Sequence, residues 1–163
     1  MPTKRIEPTG VNVYTQRGGL YEKKVTYKKE MKQEISYQVT NIGDVPGHQL
    51  TNYVRISSVN NSDPDFGPSE NLEYGQSDHI KGNGSHRGYS DVHFKNGDKT
   101  YYKWTGTHKT TTKEGGVSET NYEGKFEVTG GTGKFKNIRG GGIYKGTITE
   151  KGITEEGEYE VDY

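Results

Sequence analysis

Tight-turn signals cut the second half of the chain at Asn96-Gly97, Glu114-Gly115-Gly116 and Lys151-Gly152. Between them run stretches in which apolar or aromatic residues alternate with polar ones: 86–94, 99–111, 117–128, 142–150 and 153–162. A period of two belongs to strands with one buried face, and Gly-containing turns join such strands as hairpins. The composition supports this. There is no alanine and there are only three leucines, against thirteen tyrosines, eleven valines and 24 glycines in 163 residues. That mix disfavours helix and favours strand and turn. In the first half, Val25 and Tyr27 alternate with lysines, and Ile35, Tyr37 and Val39 follow on one face of a second stretch. From 50 to 59, Leu50, Asn52, Val54, Ile56 and Ser58 share a side. The alternation then fades, and 60–84 reads as a long loop, of the kind that forms lids, binding loops or mobile surface. Residues 1–10 read as a polar tail and 11–163 as one domain. The expected fold is all-β, a single antiparallel eight-stranded β-barrel. At that strand number the interior is filled by side chains or holds one ligand. A short helix is expected near 133–137.

Hairpin register follows from the turns. A two-residue loop at Lys151-Gly152 pairs Ile148 with Glu155, Gly146 with Gly157 and Tyr144 with Tyr159, and it turns Glu155 inward. At Asn96-Gly97 a three-residue loop with Gly97 in a bulge puts Val92, Phe94, Tyr102 and Trp104 on one face. A two-residue loop would scatter them. The inward set is then His86, Ser90, Val92, Phe94, Tyr102, Trp104, Gly106 and His108, with Tyr122, Gly124, Phe126 and Val128 on the next strand. The inward glycines 106, 124, 146 and 157 suit either barrel corners or room for a ligand beside aromatic rings.

Several function classes are excluded or disfavoured. Lys+Arg and Asp+Glu both number 22, so the basic surplus of a nucleic-acid binder is missing. No run approaches the 18 or so apolar residues of a membrane-spanning helix. The N-terminus lacks the apolar core of a signal peptide, which gives a cytoplasmic expectation. With no cysteine there are no disulfides, thiolate metal sites or thiol nucleophiles. Gly133-Lys134 lacks the flanking residues of a phosphate loop, and Gly140-Gly141-Gly142 lacks the dinucleotide-binding spacing. Asn61, Asp63 and Asp65 imitate the start of a calcium loop, but Phe66 stands where Gly is required. His86 and His108 could both face inward without an evident third ligand, so no metal site is expected. Lysines 23, 24, 28, 29 and 32 form a basic stripe, read as a solvated sheet edge or an anion site. Asn60-Asn61-Ser62 and Asn83-Gly84-Ser85 are glycosylation sequons, meaningful only in a eukaryotic secretory chain.

Gly130-Gly131-Thr132-Gly133-Lys134-Phe135, Ile138-Arg139-Gly140 and Tyr144-x-Gly146 resemble the corner of the allene oxide cyclase-like barrel superfamily, which includes dirigent proteins and bacterial spirocyclase-like barrels. The resemblance covers roughly 101–163 and singles out no subfamily. It implies an eight-stranded barrel with an interior pocket that works without metal or organic cofactor, and no catalytic residue is carried over. The residues themselves give two readings. In the first, the barrel is a cofactor-independent isomerase, cyclase or lyase that holds a small apolar or aromatic molecule in a reactive fold. Glu155 would move a proton, and Tyr102 and Tyr144 would donate to a developing oxyanion. The lining would be Phe94, Trp104, Tyr122, Phe126, Tyr159, His86, His108 and Asn52. In the second, the same cavity only binds, as in lipocalins. A filled structural barrel is the third reading, and a homo-oligomer is compatible with all of them.

Overall fold

The computed structural model describes residues 4–6, 12–15 and 21–163, with side chains from 23 onward. Ten strands are present: β1 (Lys4–Ile6), β2 (Asn12–Thr15), β3 (Tyr21–Asn41), β4 (His48–Asn61), β5 (Pro68–Ile80), β6 (Asn83–Phe94), β7 (Lys99–Thr112), β8 (Ser118–Gly131), β9 (Arg139–Thr149) and β10 (Gly152–Asp162). From β3 to β10 each strand pairs antiparallel with the next, and β10 returns to pair with β3, closing an eight-stranded barrel. The β1–β2 hairpin adds to β3 through Val13 opposite Lys23. Thus 4–6 of the expected tail are strand, and the rest of 1–10 lies outside the described residues. The only helical turns among the described residues are two 3-10 turns, Glu114–Gly116 and Gly133–Phe135.

The 60–84 segment is not a loop. β5 occupies thirteen of its residues, and its ladders to β4 and β6 are continuous. Its alternation is hidden because the inward residues are Asn71, Glu73, Ser77 and His79, which are polar. Only 62–67 is turn. There Asp63 accepts the Asp65 amide at 2.9 Å, and Lys23 binds both Asp63 (3.4 Å) and Asp65 (2.8 Å). The residues that imitate a calcium loop thus fold a turn that drives Phe66 into the barrel.

β3 is one strand of 21 residues, not two, and carries two bulges, at Lys32 and Ile35. An extra residue shifts side-chain parity by one. Lys29 and Met31 therefore face in, then Glu34, then Tyr37. Ile35 sits in a bulge rather than in line with Tyr37 and Val39. On β4 the inward residues are Thr51, Tyr53, Arg55, Ser57 and Val59, so the side that carries Leu50, Asn52, Val54, Ile56 and Ser58 is the outer one.

The bulged hairpin at Asn96-Gly97 is present: Gly97 has φ 90°, Val92 faces Thr100 and Ser90 faces Tyr102. The last hairpin turns at Glu150-Lys151 instead of Lys151-Gly152, so the expected register slips by two. Glu155 lies opposite Gly146, not Ile148, and Tyr144 opposite Gly157, not Tyr159. A slip of two preserves parity, and Glu155 faces in.

Of the four inward glycines, Gly124, Gly146 and Gly157 make room for a neighbouring ring, as do Gly75 and Gly88, while Gly106 faces His86 and Gly124. Tyr53, Trp104, Tyr144, Tyr122 and Tyr27 stand directly across the ladders from Gly75, Gly88, Gly124, Gly146 and Gly157. A Cβ at any of these glycines would run into the opposing ring. The rings fold flat across their glycine partners, the pairing known from aromatic rescue of strand glycines.

The core sits at one end of the barrel. Val25, Val92, Phe94, Val128, Ile138, Tyr159 and Val161 pack around Phe66 and the fully buried Phe135. Phe135 stacks on Phe66 at 5.0 Å and lies 4.9 Å from Phe94. The Gly-rich corner builds this plug. Gly133 takes φ 57°, a conformation Gly adopts readily, with the Asp98 carboxylate where a side chain would stand. Thr132 exchanges hydrogen bonds of 2.9 Å with Lys99.

Candidate functional site

Above the plug a cavity of about 630 Å³ opens toward the other barrel end, within the ~300–1,000 Å³ range of small-molecule pockets. Phe94, Tyr102, Phe126 and Tyr159 form its floor, where they merge with the core. The Tyr102 hydroxyl is already engaged with Thr100 Oγ1 at 2.9 Å. Burial pushes it up to about 12, and the Thr100 bond only partly opposes this.

The middle layer is polar and charged. Glu155 on β10 is buried, with 7% of its side chain exposed. Its Oε2 accepts the Tyr27 hydroxyl at 2.7 Å, and its Oε1 lies 3.1 Å from Lys29 Nζ. Lys29 also pairs with Glu73 Oε1, which accepts Asn71 Nδ2 at 3.1 Å. One ammonium is therefore shared by two carboxylates. Desolvation raises the Glu155 pKa above the usual carboxylate range, and Lys29 only partly opposes it. Burial works against the Lys29 charge, but the two carboxylates outweigh it and hold the ammonium protonated. Tyr27 and Tyr122 are pushed upward by burial and then by the Glu155 charge, so both hydroxyls remain donors. Arg55 stacks over the Tyr53 ring at 4.0 Å and meets Glu34 at 3.3 Å.

A second chain of groups lies on β6, β7 and β9. The Tyr144 hydroxyl is 2.7 Å from His86 Nε2, and His86 Nδ1 is 3.2 Å from His108 Nδ1. Burial, then the His108 charge, lowers His86 to about 4, so it is neutral at neutral pH. Burial and His79 lower His108 in the same sense. A single proton between the two Nδ1 atoms satisfies both rings. Trp104 Nε1 donates to Ser90 Oγ at 2.9 Å. No group of three or more His, Asp or Glu suited to a metal ion occurs among the described residues.

Of the residues expected from sequence, Glu155, Tyr102, Tyr144, Phe94, Trp104, Tyr122, Phe126, Tyr159, His86 and His108 all line the cavity. Asn52 does not. It is on the outer face of β4, where its Oδ1 accepts from Gln76 at 3.1 Å. Lys29 is no part of a solvated edge: it points into the barrel. The sequence reading missed Tyr27, Lys29, Tyr53, Asn71 and Glu73 as site residues. One signal could have found the last two. Gly75 stands two residues beyond Glu73, and the Gly–aromatic pairing seen on later strands would have marked β5 as a strand.

No family model matches the chain, and no curated protein matches it in sequence. No helix among the described residues is long and apolar enough to cross a membrane.

Proposed function

We propose that the barrel is a cofactor-independent enzyme of the isomerase, cyclase or lyase kind, acting on a small molecule held in the cavity. One observation carries this reading: a buried carboxylate, Glu155, projects into a roomy cavity beside a separate hydroxyl–imidazole pair, Tyr144–His86. Glu155 is placed to accept a proton, because burial raises its pKa toward working pH. Tyr144, hydrogen-bonded to neutral His86, is placed to return one or to donate to a developing oxyanion. Gly146 and Gly157, which face Glu155 and Tyr144, put the two groups two residues apart along one ladder. Tyr27 supplies the hydroxyl that orients Glu155, and Tyr102, expected as an oxyanion donor, lies in the floor bonded to Thr100. The resemblance of the Gly-rich corner to allene oxide cyclase-like barrels agrees with this reading.

A lipocalin-like binding barrel is the second reading. It is favoured by the fact that both Glu155 oxygens already have protein partners. Glu155→Gln separates the two. For an enzyme, turnover falls by roughly 10²–10⁴ while ligand binding persists. For a binder, affinity changes little and no turnover is found in either protein.

A further inference from the structure

The charge of the cavity wall does not balance. Four carboxylates line it, Glu34, Glu73, Glu150 and Glu155, against two fixed cations, Lys29 and Arg55. Glu150 is on the exposed rim, and Arg55 is matched by Glu34. This leaves Glu73 and Glu155 sharing the one Lys29 ammonium, an excess of negative charge whenever Glu155 is ionised.

Asn71 adds an independent observation. It is 5% exposed and lines the cavity, and its Oδ1 has no hydrogen-bond partner among the described residues. The amide cannot be turned to cure this. Its Nδ2 donates to the Glu73 carboxylate, and a flip would set two acceptor oxygens against each other. A buried acceptor left empty bears its desolvation cost with nothing in return. An incoming N–H would supply what it lacks. The surrounding rings already accept a cation, since the Arg55 guanidinium lies over Tyr53 at 4.0 Å.

We propose that the ligand of this cavity is an organic cation bearing N–H donors, a primary or secondary ammonium on an aromatic or short aliphatic frame. Asn71 Oδ1 and the neighbouring Glu73 carboxylate hold the ammonium, and the tyrosine rings cover the frame. This rests on the reading of the barrel as a small-molecule site and sharpens the ligand from merely apolar or aromatic to cationic.

Titration calorimetry of the full chain at neutral pH tests it with four probes on one skeleton: 2-phenylethylammonium, its N,N,N-trimethyl derivative, 2-phenylethanol and 3-phenylpropanoate. The primary ammonium is expected to bind at least about tenfold tighter than the alcohol, with the carboxylate weakest. Trimethylation, which keeps the charge but removes every N–H, is expected to forfeit much of the gain. Asn71→Ala should cost the primary ammonium about tenfold and leave the donor-free trimethyl probe unchanged. Asn71→Ser serves if the alanine variant does not fold. Alcohol or carboxylate binding as tightly as the ammonium would overturn the cationic assignment and leave the small-molecule reading standing. Failure of all four probes to bind would overturn both. An Asn71 variant that weakens every probe equally would overturn the role of Asn71 as the N–H acceptor.

Discussion

His86 carries the clearest pH signature in the barrel. Its folded pKa is lowered from 6.5 to about 4, by burial first and then by His108. A depressed folded pKa means that the unfolded chain takes up the proton first. The stability His86 contributes is present above about pH 6.5 and is lost as pH falls toward 4, at up to about 1.4 kcal/mol per pH unit. Urea unfolding of the native chain and of His86→Gln at a series of pH values should show their difference shrinking through that window. A constant difference would mean that His86 is not buried beside Tyr144. The glycine–aromatic pairs give a second test at this scale. Gly124→Ala sets a methyl against the Tyr144 ring and should cost about 1–3 kcal/mol, read as a lower unfolding midpoint. It should also displace Tyr144 from His86, so the His86 NMR titration should move back toward 6.5. Glu155 shows how far residue-level reading reached. Its inward direction followed from turn parity alone. Its neighbours did not, because Lys29 and Glu73 come from strands that local pairing rules do not connect to β10.

Among the elements, the Gly133–Phe135 turn and the 62–67 turn act together as the barrel's base. Phe135 is fully buried between Phe66 and Phe94, so Phe135→Ala should cost about 3–5 kcal/mol in chemical unfolding. The Gly130–Phe135 part of the motif that carried the family resemblance is thus a plug-forming corner, while Tyr144 and Gly146 of the same motif stand beside Glu155. β5 explains the largest miss. Sequence periodicity detects strands by apolar alternation, and β5 alternates polar residues inward because its inner face lines a polar, charged cavity. The strands of the plug end were legible, since Val92, Phe94, Tyr102, Phe126 and Val128 alternate as core residues should. β3 was legible only up to Met31. Bulges at Lys32 and Ile35 break the parity, and no pattern of side chains announces them.

For the molecule as a whole, eight closed strands and two single 3-10 turns should give a β-type circular dichroism spectrum with no helical double minimum. Trp104, the only tryptophan, lines the cavity and bonds to Ser90. Its emission should be blue-shifted in the native state and should move to longer wavelength on unfolding. A ligand in the cavity should change it, and water-like native emission would contradict the inward placement. The division of labour is also set at this scale. One end of the barrel is packed with aromatic rings and supplies stability, while the open end and middle layer hold the titratable groups.

Local chemistry was enough to determine the antiparallel strands of the second half, the bulged turn at Gly97 and the inward parity of Trp104, Tyr144 and Glu155. Alternation and turn geometry act over a few residues and leave their mark in the sequence. Tertiary structure decided the rest. Closing the sheet brings β3 beside β10 and turns β5 toward the same interior, so Lys29, Glu73 and Glu155 meet although nothing in their local sequence pairs them. A two-residue slip in the last hairpin and two bulges in β3 select which side chains lie level with one another. Those offsets depend on how the whole barrel closes, and for that reason the charged cluster at its centre could be seen only in the folded molecule.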